Sequence, residues 1–241
     1  MFVIVGWLVA LGCIFGVFIV HGGNIGVVLK ALPFEMTTIM GAAIGAFIAN
    51  NQTKVLKSTM AGLAMCFKGS KYTKARYMEL MALLYDILQK ARKEGLMAIE
   101  ADVEKPHESP LFKKYAVVGS DHHVVEFVTD YLRMMVSGNL NAHEIESLMD
   151  SEIETHHHEA HAPVAALQRI AGGLPAFGIV AAVLGVVNTM GSVGQPPAVL
   201  GAMIGSALVG TFLGILLAYA IFEPLAGLLE QKVDESGKEL Q

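Results

Sequence analysis

Two long apolar stretches near the end of the chain constrain its fold more than any other feature. They cover residues 172 to 190 and 198 to 224, and neither contains an Asp, Glu, Lys, Arg or His before Glu223. At roughly 1.5 Å of rise per residue, a helix from residue 175 to residue 192 is about 27 Å long, close to the thickness of a bilayer's hydrocarbon core. Both stretches are therefore predicted to be membrane-spanning helices.

The charged residues are concentrated in the middle of the chain. Of the 241 residues, 54% are hydrophobic and 16% charged, but 14 of the 17 Lys and Arg and 16 of the 22 Asp and Glu lie between residues 53 and 171. The N-terminal apolar part divides into two more candidate spans, residues 3 to 20 and 33 to 50. The sequence thus predicts an all-α integral membrane protein, with four transmembrane helices and a helical domain between the second and third spans.

These spans define the expected domains and their orientation. The first two spans and a short external connector occupy residues 1–52, the helical domain 53–171, the last two spans 172–224 and a tail 225–241. Basic residues follow the second span, for example Lys54 and Lys57, which places this end of the span in the cytoplasm. Both termini, the helical domain and the tail are then cytoplasmic. The first span lacks a basic leader and a cleavage site, so we expect it to be retained.

The central domain has the patterns of several helices. An apolar stripe at helical spacing predicts one helix over residues 75–91, and a second is expected from near Ser120 to about Gly138. Asn141, with Glu144 three residues later, is expected to cap a third helix that leads into the third span. Inside the spans, small residues recur four apart, which predicts close helix packing within the chain or between copies. These pairs are Gly12 and Gly16, Gly41 and Gly45, Gly201 and Gly205, and Gly210 and Gly214.

The sequence contains no pattern typical of an enzyme, a metal centre or a nucleic-acid surface. It has no nucleophile elbow, phosphate-binding loop or zinc-binding helix, and a net charge of −5 without a basic stripe argues against nucleic acid. His157 and His161 have a spacing that can chelate a divalent ion, but no carboxylate or cysteine pattern completes a site, so a solvated acidic surface explains them better. We therefore expect neither catalysis nor a bound metal or other cofactor.

The spans are notable for the scarcity of charge at membrane depth. A channel for protons usually needs an ionisable group there, and the sequence offers only Glu35, which we place near the outer face of the second span. Thr211 is the main polar candidate in the fourth span, although its hydroxyl could simply bond the preceding turn. If the protein conducts ions, a partner should supply the acid. Pro175 and Pro224 lie towards the cytoplasmic ends of their spans, where each could act as a hinge or end its helix.

Several of these segments together resemble one known family. LPAFGIVAAVLGVV, GTFLGILLAYAIFEPL, ARKEGLMAIEADVEKP and LMDSEIETH are similar to the MotA family of flagellar stator subunits, over nearly the whole chain. The resemblance implies a proton-conducting subunit of the bacterial inner membrane that couples ion flow to torque, motility and chemotaxis. It implies a ring of such chains, expected to be a pentamer, around a dimeric MotB-like single-span partner that supplies the proton-carrying aspartate. It also implies contact with the rotor protein FliG.

The same resemblance assigns roles to individual residues. Arg92 and Glu100 match a charged rotor-contacting pair, and on a continuous helix they would project from the same side. Glu152 matches a further acidic rotor-contact position. Pro175 and Pro224 match two conformational prolines. Ala182 and Thr211 match positions on the ion pathway.

Two alternatives concern the ion and the branch of the family. Because the methyl group of Ala182 offers no oxygen ligand to sodium, we expect proton coupling. The alternative hypothesis is that the chain is an ExbB- or TolQ-type energising channel subunit for outer-membrane processes. ExbB and TolQ look like proteins with three membrane spans. The four predicted spans and the Arg92 and Glu100 motif therefore favour a stator subunit.

Overall fold

The structure is a computed structural model that describes residues 2–69, 71–138 and 141–238. Within these ranges the regular elements are all helical, as expected. Four helical segments are long and apolar enough to cross a membrane. The helices are α1 (Phe2–Val20), α2 (Ile25–Asn50), α3 (Thr53–Cys66), α4 (Lys74–Glu94), a 3-10 turn (Leu96–Ile99), α5 (Glu100–Glu104), α6 (Pro110–Lys114), α7 (Ala116–Gly119), α8 (His122–Ser137), α9 (Ala142–Met190), α10 (Pro197–Leu216), a π-helical segment (Leu217–Phe222) and α11 (Glu223–Gly237).

The chain forms two compact units. The first extends up to Lys68 and from His161 to Gln231, and the second covers Gly69–Ala160 together with the segment from Lys232 onward. The domain boundaries expected from the sequence are membrane boundaries, and they remain predictions. Helices α9 and α11 each contain residues of both units.

The first unit consists mainly of the membrane-spanning helices. Its core is formed by side chains of α2, α9, α10 and the π-helical segment, whereas α1 has no buried residue. The buried core residues are Val28, Ala31, Ile39, Ala43, Leu174, Ala181, Val209, Leu213, Leu216, Leu217 and Ala218. Several of them are alanines, which allow the helix backbones to approach closely.

Helix α2 begins earlier than the sequence indicates. The second span was expected to start at Pro33, but the helix starts at Ile25, where the Asn24 side chain accepts a hydrogen bond from the Gly26 amide at 3.0 Å. Pro33 lies inside this helix. An asparagine cap can satisfy an amide of the first turn, so the cap rather than the proline determines where α2 begins.

The second unit is a set of shorter helices around its own apolar core. The buried residues come from α4, α5, α8 and the short segments between them, and they are Leu80, Leu83, Ile87, Ile99, Val103, Phe112, Val118, Val124, Val125 and Leu132. The predicted helices near residues 75–91 and 120–138 are confirmed as α4 and α8. Gly138 ends α8 in the left-handed conformation at φ +67°, which glycine adopts without steric cost.

The predicted start of α9 is also confirmed. The Glu144 amide donates to Asn141 Oδ1 at 3.0 Å, and the Asn141 amide donates to Glu144 Oε2 at 2.9 Å. This reciprocal pair is a capping box, in which two amides at the helix start are satisfied by side chains.

Candidate functional site

Helices α9 and α10 cross at glycines, with their backbones almost in contact. A methyl group placed on Gly178 would lie 2.8 Å from the Gly210 carbonyl oxygen, and one on Gly214 would lie 2.7 Å from the Leu174 carbonyl oxygen. About two turns further along α9, a methyl group on Gly185 would lie 2.6 Å from Ala207 Cβ. Larger side chains would push the helices apart, so this contact requires small residues on both.

Only one of the four predicted glycine pairs packs closely within the chain. Gly210 and Gly214 lie in the α9–α10 crossing, whereas nothing lies within 4 Å of a methyl group placed on Gly201, and Val27 lies at an ordinary 3.6 Å from one on Gly205. The pairs in α1 and α2 likewise have open space around them. Gly178 and Gly185 were not predicted to lie in this contact because they are seven residues apart, whereas the predicted pairs are four apart.

Of the residues expected on the ion pathway, Ala182 lies at this crossing and Thr211 follows Gly210, which does. Ala182 is buried, and its amide nitrogen would be 3.2 Å from a methyl group on Gly210, the chain neighbour of Thr211. The half-buried Thr211 hydroxyl makes no hydrogen bond within the described part of the chain, whereas the Thr189 hydroxyl donates to the Gly185 carbonyl at 2.9 Å. The bond from Thr211 to its preceding turn, considered in the sequence analysis, is therefore not formed.

Glu35 also reaches this crossing, and its expected location was wrong. Its Oε2 lies 2.6 Å from the position of a methyl group on Gly210, which is about 20 Å along α10 from Pro197 and about as far from Glu223 at the end of the span. The carboxylate is thus level with the middle of the fourth span rather than near its outer end. The error arose because α2 begins at Ile25, eight residues before the predicted start of the span at Pro33.

Neither candidate hinge proline ends its helix. Pro175 lies inside α9, which continues to Met190, and Pro224 lies inside a helical segment that continues to Gly237. A proline has no N–H for the carbonyl four residues earlier. The π-helical segment Leu217–Phe222 directly precedes Pro224, and such widened turns are often found at functional sites. Helix termination, the alternative interpretation of these prolines, is wrong for both.

In the second unit, Arg92 and Glu100 lie on different helices. The chain leaves α4 at Gly95, where φ is +93°, and Glu100 begins α5. The two residues therefore do not share one continuous helix, because the chain adopts at Gly95 a conformation that interrupts a right-handed helix. Both side chains are exposed, and neither makes a hydrogen bond or ion pair within the described residues.

Nearby charged residues fix the position of this pair. The Lys90 Nζ lies 2.7 Å from Asp102 Oδ2, and Ser109 Oγ donates to Asp102 Oδ1 at 2.6 Å. Lys90 precedes Arg92 by two residues and Asp102 follows Glu100 by two. The partly buried ion pair connects α4 to α5 and leaves Arg92 and Glu100 on the surface. Sequence reasoning missed this connection, since the spacing of Lys90 and Asp102 has no helical period.

Glu152 differs from Arg92 and Glu100 because it has an internal partner. The Tyr131 hydroxyl donates to Glu152 Oε2 at 2.5 Å and connects α8 to α9. Burial and this hydrogen bond raise the pKa of Tyr131.

In the histidine-rich segment, His157 Nε2 lies 3.7 Å from Asp234 Oδ1, at the distance of a weak ion pair when the imidazole is protonated.

Comparisons with known proteins agree with this architecture. The family model for the N-terminal part of motility protein A matches residues 4–95, and the model of the MotA/TolQ/ExbB proton channel family matches residues 120–241. Motility protein A of Escherichia coli (strain K12) is 48% identical over 241 residues, which cover all of this chain and 81% of the relative. The chain belongs to the MotA/TolQ/ExbB proton channel family.

Further similar proteins indicate which branch of the family this chain is most like. The chemotaxis protein LafT of Vibrio parahaemolyticus is 39% identical over 95% of this chain and 79% of its own length. The flagellar MotAB stator complex of Bacillus subtilis has a chain 26% identical to this one, with a TM-score of 0.71 over 98% of this chain and 83% of the other. A MotAB chain of C. jejuni, 23% identical, has the same fold with a TM-score of 0.74, over 99% and 84%. These similarities favour the stator branch over the ExbB or TolQ branch.

Proposed function

We propose that the chain is the ion-conducting stator subunit of a bacterial flagellar motor, coupling proton flow across the inner membrane to torque. The observation that carries this proposal is the α9–α10 crossing, where the buried Ala182 lies against Gly210, the chain neighbour of Thr211, on two helices long enough to span a bilayer. Family membership and the solved MotAB complexes support the same function.

The partner in this proposal is a dimeric, MotB-like single-span protein. The last two spans of this chain contain no acidic group before Glu223, so the partner's aspartate would carry the proton along Ala182 and Thr211. Copies of the chain would form a ring, expected to be a pentamer, around that partner. Helix α1 supports such an assembly, because most of its apolar side chains are exposed within a single chain and require lipid or a neighbouring copy to cover them.

The torque-generating surface in this proposal includes Arg92 and Glu100, which have no partner within the described part of the chain and are available to the rotor protein FliG. Glu152 would contribute mainly by holding α8 against α9 through Tyr131. Pro175 and Pro224 would permit the bending that links proton transfer to rotor contact. The helical domain and both termini would lie in the cytoplasm.

Complementation of a non-motile strain tests the function directly. The chain and its partner are expressed in cells without their own stator proteins, and swimming speed is measured with varied external sodium and with a protonophore. We expect swimming that is independent of sodium and stops with the protonophore. Swimming that follows sodium and survives the protonophore would contradict proton coupling, and failure to swim with both proteins in the membrane would contradict the stator function.

A further inference from the structure

Glu35 places a carboxylate of this chain beside the candidate ion pathway. Its Oε2 lies 2.6 Å from the position of a methyl group on Gly210, and the same position is 3.2 Å from both Ala181 Cβ and the Ala182 amide nitrogen. The carboxylate therefore occupies the space left by the missing side chain of Gly210. A glycine at this position allows Glu35 of α2 to reach the contact between α9 and α10.

The surroundings of Glu35 provide no counter-charge. The apolar part of α9, residues 172–190, and all of α10 contain no titratable group, and α1 contains only the Cys13 thiol. On α2 the other charged residue is the exposed Lys30, about 7.5 Å away along the helix axis. Within the described residues, the Glu35 side chain makes no hydrogen bond or ion pair. An acid at membrane depth is costly to keep, and ionisable groups found there typically mark ion or proton pathways.

We infer that Glu35 is a proton-binding residue of the ion pathway, in addition to the acid that the partner supplies. This inference rests on the proposed function. The carboxylate binds a proton at Oε2 and releases it to water or to the partner's carboxylate, so only a proton moves and no bond between heavier atoms changes. Gly210 acts as a positioning residue because its missing side chain makes the space for Oε2.

The first test measures swimming speed against external pH in the complemented strain. We expect Glu35→Gln to lower the speed at neutral pH about tenfold or more, since positioned proton-transfer groups contribute at least this much. Glu35→Asp should keep part of the speed with a shifted pH profile. Gly210→Ala retains the acid but displaces it, and should lower the speed as well.

Two controls match these variants. Gly201→Ala is the same change on the same helix at a position with nothing within 4 Å, and Glu108→Gln neutralises an exposed cytoplasmic acid. Both should retain the wild-type speed and pH profile. Membrane levels of all variants are measured by immunoblot. A Glu35→Gln variant with the wild-type profile would overturn the inference, and so would one whose speed falls only in proportion to its membrane level, because that result indicates a packing role.

A second measurement separates this inference from the proposed function. Infrared spectra of the purified complex in lipid are recorded during a pH titration, and we expect a band of a protonated carboxylic acid that titrates and disappears in Glu35→Gln. A wild-type chain that restores no swimming would refute the proposed function. The infrared result then decides on Glu35, since the absence of a titrating band that depends on this residue overturns the inference.

Discussion

The ion cluster around Asp121 should make the stability of the second unit depend on pH. Asp121 Oδ2 lies 2.7 Å from Arg76 Nη2 and 2.9 Å from Lys71 Nζ, and these contacts connect the start of α8 to the start of α4. Burial of Asp121 raises its pKa, but the hydrogen bonds from Lys71 and Arg76 outweigh burial and lower the pKa from 3.8 to about 2. We expect Asp121→Asn to destabilise the unit at neutral pH.

The magnitude follows from the lowered pKa. At 1.36 kcal/mol per pKa unit, and reduced for the exposure of Lys71, the charged form of Asp121 contributes about 2 kcal/mol to folding. Because the folded pKa is below the unfolded one, this contribution is fully present above the unfolded value near 4. It is lost as the pH falls towards the folded value of about 2. The difference between wild type and Asp121→Asn should therefore disappear over this interval.

Hydrogen exchange of the full-length protein in detergent measures this difference. A loss of about 2 kcal/mol should speed exchange of the protected amides in α4 and α8 about 30-fold at pH 7. Asp150→Asn is the control, because Asp150 is exposed and makes no ion pair within the described residues. Equal exchange in wild type and Asp121→Asn at pH 7 would refute the assigned strength of the cluster. A difference that stays constant down to pH 2 would show that packing, rather than charge, is responsible.

Four further predictions concern other parts of the chain. Reversing the charge of Arg92 or Glu100 should impair swimming at unchanged membrane levels, since neither supports the fold, and normal swimming of both variants would exclude the proposed rotor surface. Pro175→Ala should block torque but leave the protein in the membrane, so unchanged motility would contradict a hinge. Gly214→Ala should destabilise the helix pair by about 1–3 kcal/mol, seen as faster thermal inactivation in detergent than for Gly201→Ala, and equal rates would refute the close contact. Tyr131→Phe should cost about 1–3 kcal/mol and speed hydrogen exchange in α8, and an unchanged rate would show that the bond to Glu152 is unimportant.

The membrane spans and the main helices could be predicted because their signals are local. Apolar length determined the four spans, and the cap at Asn141 and Glu144 and the stop at Gly138 determined helix ends from adjacent residues. The start of α2 was missed because Lys30 and Pro33 interrupt its apolar stretch, whereas the cap that starts the helix is the single residue Asn24. A cap is a short signal, and it is easily overlooked beside a long span.

The contacts between helices were harder to predict, because they depend on which faces meet. Gly210 and Gly214 have the same spacing as Gly201 and Gly205, but only the first pair lies against α9. The two pairs differ because Gly178 of α9, which is remote in sequence, lies opposite Gly210 and Gly214. A repeat of small residues therefore shows that a close contact is possible, whereas the partner helix decides where it forms.

The position of Glu35 shows why one sequence alone gave an incomplete view of the ion pathway. A second span that starts at Pro33 predicts a carboxylate near the outer face of the membrane. In the structure α2 begins at Ile25, and Glu35 is level with Gly210. Because residue 210 is glycine, no side chain occupies the space that the carboxylate fills. The depth of an ionisable group in a membrane thus depends on the helix cap and on the residue opposite. If Glu35 binds protons there, the pathway depends on an acid of this chain as well as on that of the partner.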